Sequence, residues 1–166
     1  MSLYKAYQLV GGTEEWRTVK AESDFDAIRP TFITVLACDT LITDKSPKEM
    51  IDNAKYFGPM YFDLDSADDV EAAIAGAQAL WQKLQNCELT EDDVEIYLSG
   101  KKGLHVIVPP EVFMEKQVAV NRLPNMYKEL AFKLAVDTLD FSVYSARRGR
   151  MLRTHYNQRD NGKYKV

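Results

Sequence analysis

Apolar and polar positions repeat with two different periods in the second half of the chain. The stretch MYFDLD (60–65) is a short run of aromatic and apolar residues typical of a strand. The segment SADDVEAAIAGAQALWQKLQN (66–86) repeats apolar residues at helical spacing, with Ser66 as the predicted N-cap. Two further apolar runs, VEIYLSG (94–100) and GLHVIVPP (103–110), are joined by Gly-Lys-Lys-Gly. This pattern predicts a β-hairpin after the helix.

A second helical pattern, LPNMYKELAFKLAVDTL (123–139), precedes a C-terminal segment that predicts short strands around a basic turn (140–166). The order from residue 60 is therefore β-α-β-β-α-β, the split arrangement of ferredoxin-like and RNA-recognition-motif sheets. The same arrangement forms the palm of several nucleotide polymerases. Because fold alone does not determine function, the candidate site residues must decide between these uses.

The first 57 residues mix short apolar runs with turn signals. LYKAYQLVGG (3–12) predicts a strand that ends in a turn, and FITVLACDTLI (32–42) predicts a buried strand. Ser46 and Pro47 predict the start of a helix that ends before Gly58. We therefore expect an α+β fold, with a small N-terminal α/β subdomain at 1–57 and an RRM-like palm at 58–166.

The composition is that of a folded chain with a core, since 46% of the 166 residues are hydrophobic. No run approaches the roughly 18 to 20 apolar residues that span a bilayer, and the N-terminus has no signal-peptide pattern. We therefore expect a cytoplasmic protein without a membrane partner. Cys38 and Cys87 are far apart and belong to no Cys/His cluster, so neither structural zinc nor a disulfide is expected.

Positive charge concentrates at the C-terminus of a chain whose net charge is −4. Seven of the 21 Lys and Arg residues lie between Arg147 and the end, together with a single acid, Asp160. A basic tail on an acidic body favours a polyanion bound at one place. The alternative is a solvated charged terminus.

Three acids are candidates for metal binding. Asp63 and Asp65 project from the same face of the strand 60–65, where two carboxylates can share a hard divalent cation. The alternative is a polar strand end that caps the next helix. Asp140 follows the second helix, and the strand predicted there lies close to the first strand in a β-α-β-β-α-β sheet. Three converging carboxylates would repel each other without Mg²⁺ or Mn²⁺, whereas Asp140 could instead be an ordinary helix-terminal acid.

Phosphate-binding side chains have their own candidate stretch, Ser99-Gly100-Lys101-Lys102-Gly103-Leu104-His105. Its glycines allow close backbone approach to an anion, and its serine, lysines and histidine can contact phosphate oxygens. A plain hairpin turn with a buried histidine is the alternative. Arg150 and Arg153 could add two guanidinium groups opposite a triphosphate.

The order of these stretches resembles that of the archaeo-eukaryotic primase superfamily, which includes primase-polymerases and the polymerase domains of bacterial end-joining ligases. FDLDS is similar to the family's DxD motif, SGKKGLH to its Ser-Gly-x-x-Gly-x-His motif, and LDFSVY to its hydrophobic-Asp motif. RGRMLRTHYNQRDNGKYKV (148–166) is similar to the Arg-containing strand and Lys-bearing turn of primase-polymerases. The basic turn before that strand is about two residues longer here, which leaves the choice between Arg148 and Arg150 open.

The resemblance implies a catalytic role for three acids and a nucleotide-binding role for seven further residues. Two divalent metals, Mg²⁺ or Mn²⁺, would be held by Asp63, Asp65 and Asp140. The triphosphate would be bound by Ser99, Lys101, Lys102, His105, Arg150, Arg153 and Lys163. The zinc-binding element of many family members has no counterpart here, and 1–57 contains no matching motif.

The function implied is that of a DNA primase or primase-polymerase of DNA replication, a nucleotidyltransferase that adds NTP or dNTP to a chain under the direction of a DNA template. The template would be single-stranded DNA or a primer-template. The chain would be the catalytic part of a longer protein in the nucleoid or a replication complex, with a helicase or another replication domain as its companion. The alternative is a non-catalytic RRM-like module that binds single-stranded nucleic acid by stacking on Tyr61 and Tyr97.

Overall fold

The computed structural model describes residues 2–9, 17–43, 45–66, 69–100, 102–114, 116, 118–144 and 151–154. These residues form a mixed α+β fold with two antiparallel sheets and few helices. The expectation of an α+β fold is confirmed at this level. None of the helices in the described ranges is both long and apolar enough to cross a membrane.

The first sheet is built mainly from the N-terminal part of the chain. Its strands are β1 (Tyr4–Gln8), β2 (Arg17–Lys20), β3 (Phe32–Thr34), β4 (Ala37–Cys38), β5 (Tyr56–Phe57) and β9 (Met151–Arg153). The order is β5-β4-β1-β3-β9, and β2 pairs with β1. The single strand predicted over 32–42 is thus two short strands that both pair with β1.

The last strand joins this N-terminal sheet across a long sequence separation. Arg153 pairs with Phe32 and Met151 with Thr34 in an antiparallel register. No local pattern in the sequence specifies such a pairing, because strand partners are chosen by tertiary packing. The boundary predicted at 57/58 stays a prediction, although β9 crosses it by pairing with β3.

The second sheet contains the candidate motifs. Its strands are β6 (Met60–Asp65), β7 (Glu95–Leu98) and β8 (Gly103–Val108), in the order β6-β8-β7. Both pairs are antiparallel, which confirms the predicted hairpin between β7 and β8. Residue by residue, the register sets Asp63 opposite His105. Tyr97 of β7 lies opposite His105 on its other side.

In the part of the chain that the structure describes, four α-helices accompany the sheets: α1 (Phe25–Ile28), α2 (Lys48–Asn53), α3 (Val70–Gln85) and α4 (Leu123–Lys133). The helical spacing of the sequence located α3 and α4, but α4 ends six residues before the predicted Leu139 and the predicted caps were wrong. Asp69, not Ser66, caps α3 by accepting a hydrogen bond from the Glu71 N–H at 2.9 Å. Pro47 is the N-cap of α2, while the Ser46 hydroxyl accepts a bond from the Thr43 N–H.

The segment after α4 does not form the predicted strand. The helix ends at Lys133, and Leu139 makes one antiparallel bridge with Leu64. Residues Phe141–Tyr144 then turn into a short 3₁₀ helix. Two backbone bonds hold the segment beside β6, because the Asp65 N–H donates to the Thr138 carbonyl and the Asp140 N–H donates to the Asp63 carbonyl, both at 2.9 Å. The expected strand is therefore reduced to a single bridge.

A single hydrophobic core joins both sheets to the helices. Its members include Cys38 and Tyr56 from the first sheet, Phe62 from β6 and Leu80 from α3. Along β6, Met60, Phe62 and Leu64 are fully buried and project from one face, as alternation along a strand requires. Tyr61, Asp63 and Asp65 project from the opposite face. The same alternation that buries the core of β6 thus puts both of its acids on the other side.

Candidate functional site

The centre of the candidate site is a buried pair of side chains on neighbouring strands. Asp63 Oδ1 lies 3.6 Å from His105 Nε2, and the two side chains are only 12% and 7% exposed. The direct cross-strand register of β6 and β8 produces this contact. The Tyr61 ring packs on the same imidazole, with 5.2 Å between ring centroids. A carboxylate and an imidazole are therefore held together between strands that fix both backbones.

Asp65 stands at the exposed end of β6, opposite Gly103 of β8. The two strands approach each other so closely at this point that a Cβ on Gly103 would lie 2.3 Å from the Leu64 carbonyl oxygen. Such a distance is far below van der Waals contact. The second glycine of the Ser-Gly-x-x-Gly-x-His stretch is thus required by strand packing, whether or not an anion binds there.

Asp140 is brought beside Asp63 through the backbone, whereas its carboxylate contacts Ser142. Asp140 Oδ1 accepts a bond from the Ser142 N–H and Oδ2 accepts one from the Ser142 hydroxyl, both at 2.8 Å. These bonds stabilise the start of the 3₁₀ helix, as Asp and Ser side chains often do at turns. The Tyr144 hydroxyl anchors the other end of the turn by donating to the Tyr61 carbonyl at 2.7 Å.

The carboxylates of the three acids can be compared with the ligands that a hard divalent cation needs. Carboxylate oxygens are the ligands that Mg²⁺ and Mn²⁺ prefer, so the chemistry of Asp63, Asp65 and Asp140 fits. In the described ranges, however, no group of three or more His, Cys, Asp and Glu side chains is placed to hold a metal ion. In this geometry both oxygens of the Asp140 carboxylate accept bonds from Ser142. The three acids share a neighbourhood, and their role as metal ligands stays a prediction.

The hairpin between β7 and β8 is closed by Ser99. Its N–H donates to the Gly103 carbonyl at 2.9 Å, and its hydroxyl oxygen accepts the Gly103 N–H at 3.1 Å. Gly100 has a φ of +78°, a left-handed conformation that suits glycine. Lys102 is half-buried, and its carbonyl accepts a long bond of 3.5 Å from the Ser66 N–H. Ser99 therefore shapes the turn directly, and phosphate binding by Ser99, Lys102 or His105 stays a prediction.

Arg153 lies in the first sheet, and three other predicted basic ligands fall outside the described ranges. The Arg153 guanidinium carbon sits 4.6 Å from the centre of the Phe32 ring, its cross-strand partner. This is a cation–π contact that orients the side chain. Lys101, Arg150 and Lys163 are among the residues that the structure does not describe. Their roles stay predictions.

Two structural residues of the site were not foreseen from the sequence. Ser142 binds the Asp140 carboxylate, and Tyr144 ties the turn to β6. An Asp-x-Ser spacing often marks a turn in which the Asp side chain accepts a hydrogen bond from the backbone N–H two residues later. This signal could have identified Ser142. On the edge strand, Tyr97 donates to Glu95 at 2.8 Å, and this bond raises the pKa of the Tyr97 hydroxyl.

Comparison of the chain with protein-family models, with curated proteins and with solved structures found no match. The case for a function therefore rests on the residues and on the geometry described above.

Proposed function

We propose that this chain is the catalytic domain of a template-directed nucleotidyltransferase, of the DNA primase or primase-polymerase type. The single observation that carries the proposal is the position of β6 between two partners. On one side β8 sets His105 against Asp63, and on the other side the Asp140 N–H donates to the Asp63 carbonyl. One residue from each of the three motifs thus lies at this point of β6. His105 contacts the Asp63 side chain, Asp140 bonds to the Asp63 backbone, and Asp63 itself belongs to the DxD motif.

The order of elements also supports this proposal. From Met60 onward the chain runs strand, helix, hairpin, helix and then a segment that bridges back to Leu64 of the first strand. An RRM-like palm has this order, with a fourth strand beside the first. Here we propose that the bridge at Leu139 stands in for that strand. Because the pairing ends after this one bridge, the residues that follow Asp140 form a 3₁₀ helix and not a strand.

In the proposed site the acids would hold two divalent metals, which would activate a 3′-hydroxyl group and stabilise the leaving pyrophosphate. The residues of the chain contribute positioning and charge. His105 is buried between Asp63 and Tyr61, so its ring has a fixed direction, and Lys102 adds positive charge at the rim of the same strand pair. Positioning and electrostatic stabilisation supply most of the catalysis in such reactions.

The rival proposal, a non-catalytic module that stacks bases on its sheet, is less well supported. Tyr61, one of its two candidate stacking residues, is only 4% exposed and packs on His105. Base stacking needs exposed aromatic faces. Asp63 and Asp65 would also repel phosphate on this face of the sheet in the absence of metal.

Template-dependent incorporation of nucleotides tests the proposal. The protein is incubated with NTP or dNTP and Mg²⁺ or Mn²⁺ on single-stranded and on primed templates. We expect incorporation, and Asp63→Asn should reduce it by about 100-fold or more because it removes a charged group at the reacting centre. The matched control is Asp137→Asn, an exposed acid near Asp140, which should leave incorporation unchanged. Single-strand binding that survives both EDTA and Asp63→Asn, without incorporation, would favour the rival.

A further inference from the structure

The edge strand β7 carries an unusual pair of exposed apolar side chains. Ile96 and Leu98 are 53% and 55% exposed, on the outer strand of the sheet β6-β8-β7. Among the described strands, β7 pairs only with β8. Sheet edges are often protected by charged side chains, Pro or a bulge. In β7 the charged residue is Glu95, at the start of the strand, and residues 96–98 contain no Pro and pair with β8 without a bulge.

The hydrogen-bonding direction of β7 can be deduced from its end. The Ser99 N–H donates to the Gly103 carbonyl, so this facing pair is a hydrogen-bonded one. In an antiparallel ladder such pairs alternate with non-hydrogen-bonded pairs. Tyr97 therefore bonds to β8 opposite His105, whereas the backbone N–H and C=O groups of Ile96 and Leu98 point away from β8. The two residues with exposed apolar side chains are also the two whose backbone faces the open edge.

We propose that two copies of this chain associate by antiparallel pairing of β7 with β7, which joins two three-stranded sheets into one of six strands. In the register that we propose, Ile96 faces Leu98 of the second copy, Leu98 faces Ile96, and Tyr97 lies opposite Tyr97 at the two-fold axis. The side chains of each facing pair then lie on the same side of the joined sheet. The outward N–H and C=O groups of Ile96 bond to those of Leu98 in the second copy, and those of Leu98 bond to Ile96. Apolar cross-strand pairs of this kind stabilise sheets.

Charge at the two ends of β7 favours the same partner. The strand is preceded by the acidic 3₁₀ turn Glu91–Asp93 and followed by a turn that contains Lys102. Antiparallel pairing brings the acidic end of one copy toward the end of the other copy that carries Lys102. Within the strand, Glu95 faces the neutral Ser99. The edge is therefore complementary to itself in backbone, apolar contacts and charge.

Sedimentation equilibrium over a range of concentrations tests the association. The apparent mass should rise from 19.0 kDa toward twice that value as concentration increases. Ile96→Lys should weaken association by on the order of tenfold or more, because the charge would be placed in the new sheet. Ile96→Lys should fold, since Ile96 is more than half exposed. Met126→Lys, at a 53% exposed apolar residue of α4, is the matched control and should associate like the wild type. A mass of 19.0 kDa at every concentration would overturn the proposal, as would loss of association in Met126→Lys only.

Disulfide trapping tests the register. In a Cys87→Ser background, Tyr97→Cys places two cysteines at a non-hydrogen-bonded pair on the two-fold axis, about 4.5 Å apart between Cα atoms. A cross-linked dimer should form under mild oxidation. Glu95→Cys is the control, because the two cysteines would be separated by four residues of strand, roughly 14 Å. Equal cross-linking of both variants, or cross-linking of Glu95→Cys alone, would overturn the register that we propose.

Discussion

Gly103→Ala is the change that most directly tests the approach of β6 and β8 at the candidate site. The new Cβ would lie 2.3 Å from the Leu64 carbonyl oxygen and 3.3 Å from the Asp65 Cα. These obstacles are backbone atoms, so no side-chain rotation can relieve the clash. Overpacking costs about 1–3 kcal/mol, and replacing a strand glycine returns roughly 0.5–1 kcal/mol. Because backbone atoms obstruct the new Cβ, the overpacking cost lies in the upper part of its range, and we expect a net loss of about 1–2 kcal/mol in the free energy of unfolding.

Urea denaturation followed by circular dichroism measures this loss. With a slope of about 2 kcal/mol per molar urea, the midpoint should fall by roughly 0.5–1 M. Gly76→Ala is a useful comparison, because its Cβ would meet the Thr138 hydroxyl oxygen, which a second substitution can remove. No second side-chain change can relieve the strain at Gly103. A Gly103→Ala midpoint equal to that of the wild type would refute the strand separation on which the site geometry depends.

Three further predictions follow from other contacts. Gly76→Ala should destabilise the chain, because its new Cβ meets the Thr138 hydroxyl oxygen. The double variant Gly76→Ala with Thr138→Ala should recover most of that loss in a double-mutant cycle measured by urea denaturation. Additive losses would contradict the contact. Tyr144→Phe removes the bond to the Tyr61 carbonyl and should cost about 0.5–1.5 kcal/mol in thermal unfolding. Tyr97→Phe, which removes the exposed bond to Glu95, is the control and should cost less. The Thr90 N–H and hydroxyl lower the pKa of Asp93, so this carboxylate favours folding above its unfolded pKa and loses that contribution as pH falls through its folded pKa. In Thr90→Ala the Asp93 pKa should rise toward the ordinary value in an NMR titration, and an unchanged pKa would show that the hydroxyl bond is unimportant.

The parts of the fold that could be predicted from the sequence are those governed by local periodicity. Alternation over 60–65 and helical spacing over 70–85 correspond to β6 and α3, and the Gly-Lys-Lys-Gly turn corresponds to the β7–β8 hairpin. The caps were wrong because several residues near each helix start can accept the same N–H groups. Asp69, one turn closer to the helix than Ser66, makes that bond here.

The parts that could not be predicted depend on long-range pairing. The strand Met151–Arg153 pairs with Phe32–Thr34, more than a hundred residues earlier, and no local pattern carries that information. The segment at Asp140 contains apolar residues at strand spacing, yet its Asp-x-Ser turn and the Tyr144 anchor favour a 3₁₀ helix after one bridge. The sequence identified the acids of the candidate site, whereas the direction of the Asp140 carboxylate follows from its local bonds to Ser142.

The central claim is that Asp63, Asp65 and Asp140 form a metal-binding site for nucleotidyl transfer. Its most direct test is a crystal structure of the protein soaked with Mn²⁺ and a nucleoside triphosphate, with the ion located by anomalous scattering. We predict Mn²⁺ between these three carboxylates, with Asp140 turned away from Ser142 and the triphosphate near Ser99 and His105. A structure in which the triphosphate and Mn²⁺ bind elsewhere, while Asp140 keeps both bonds to Ser142, would contradict the claim.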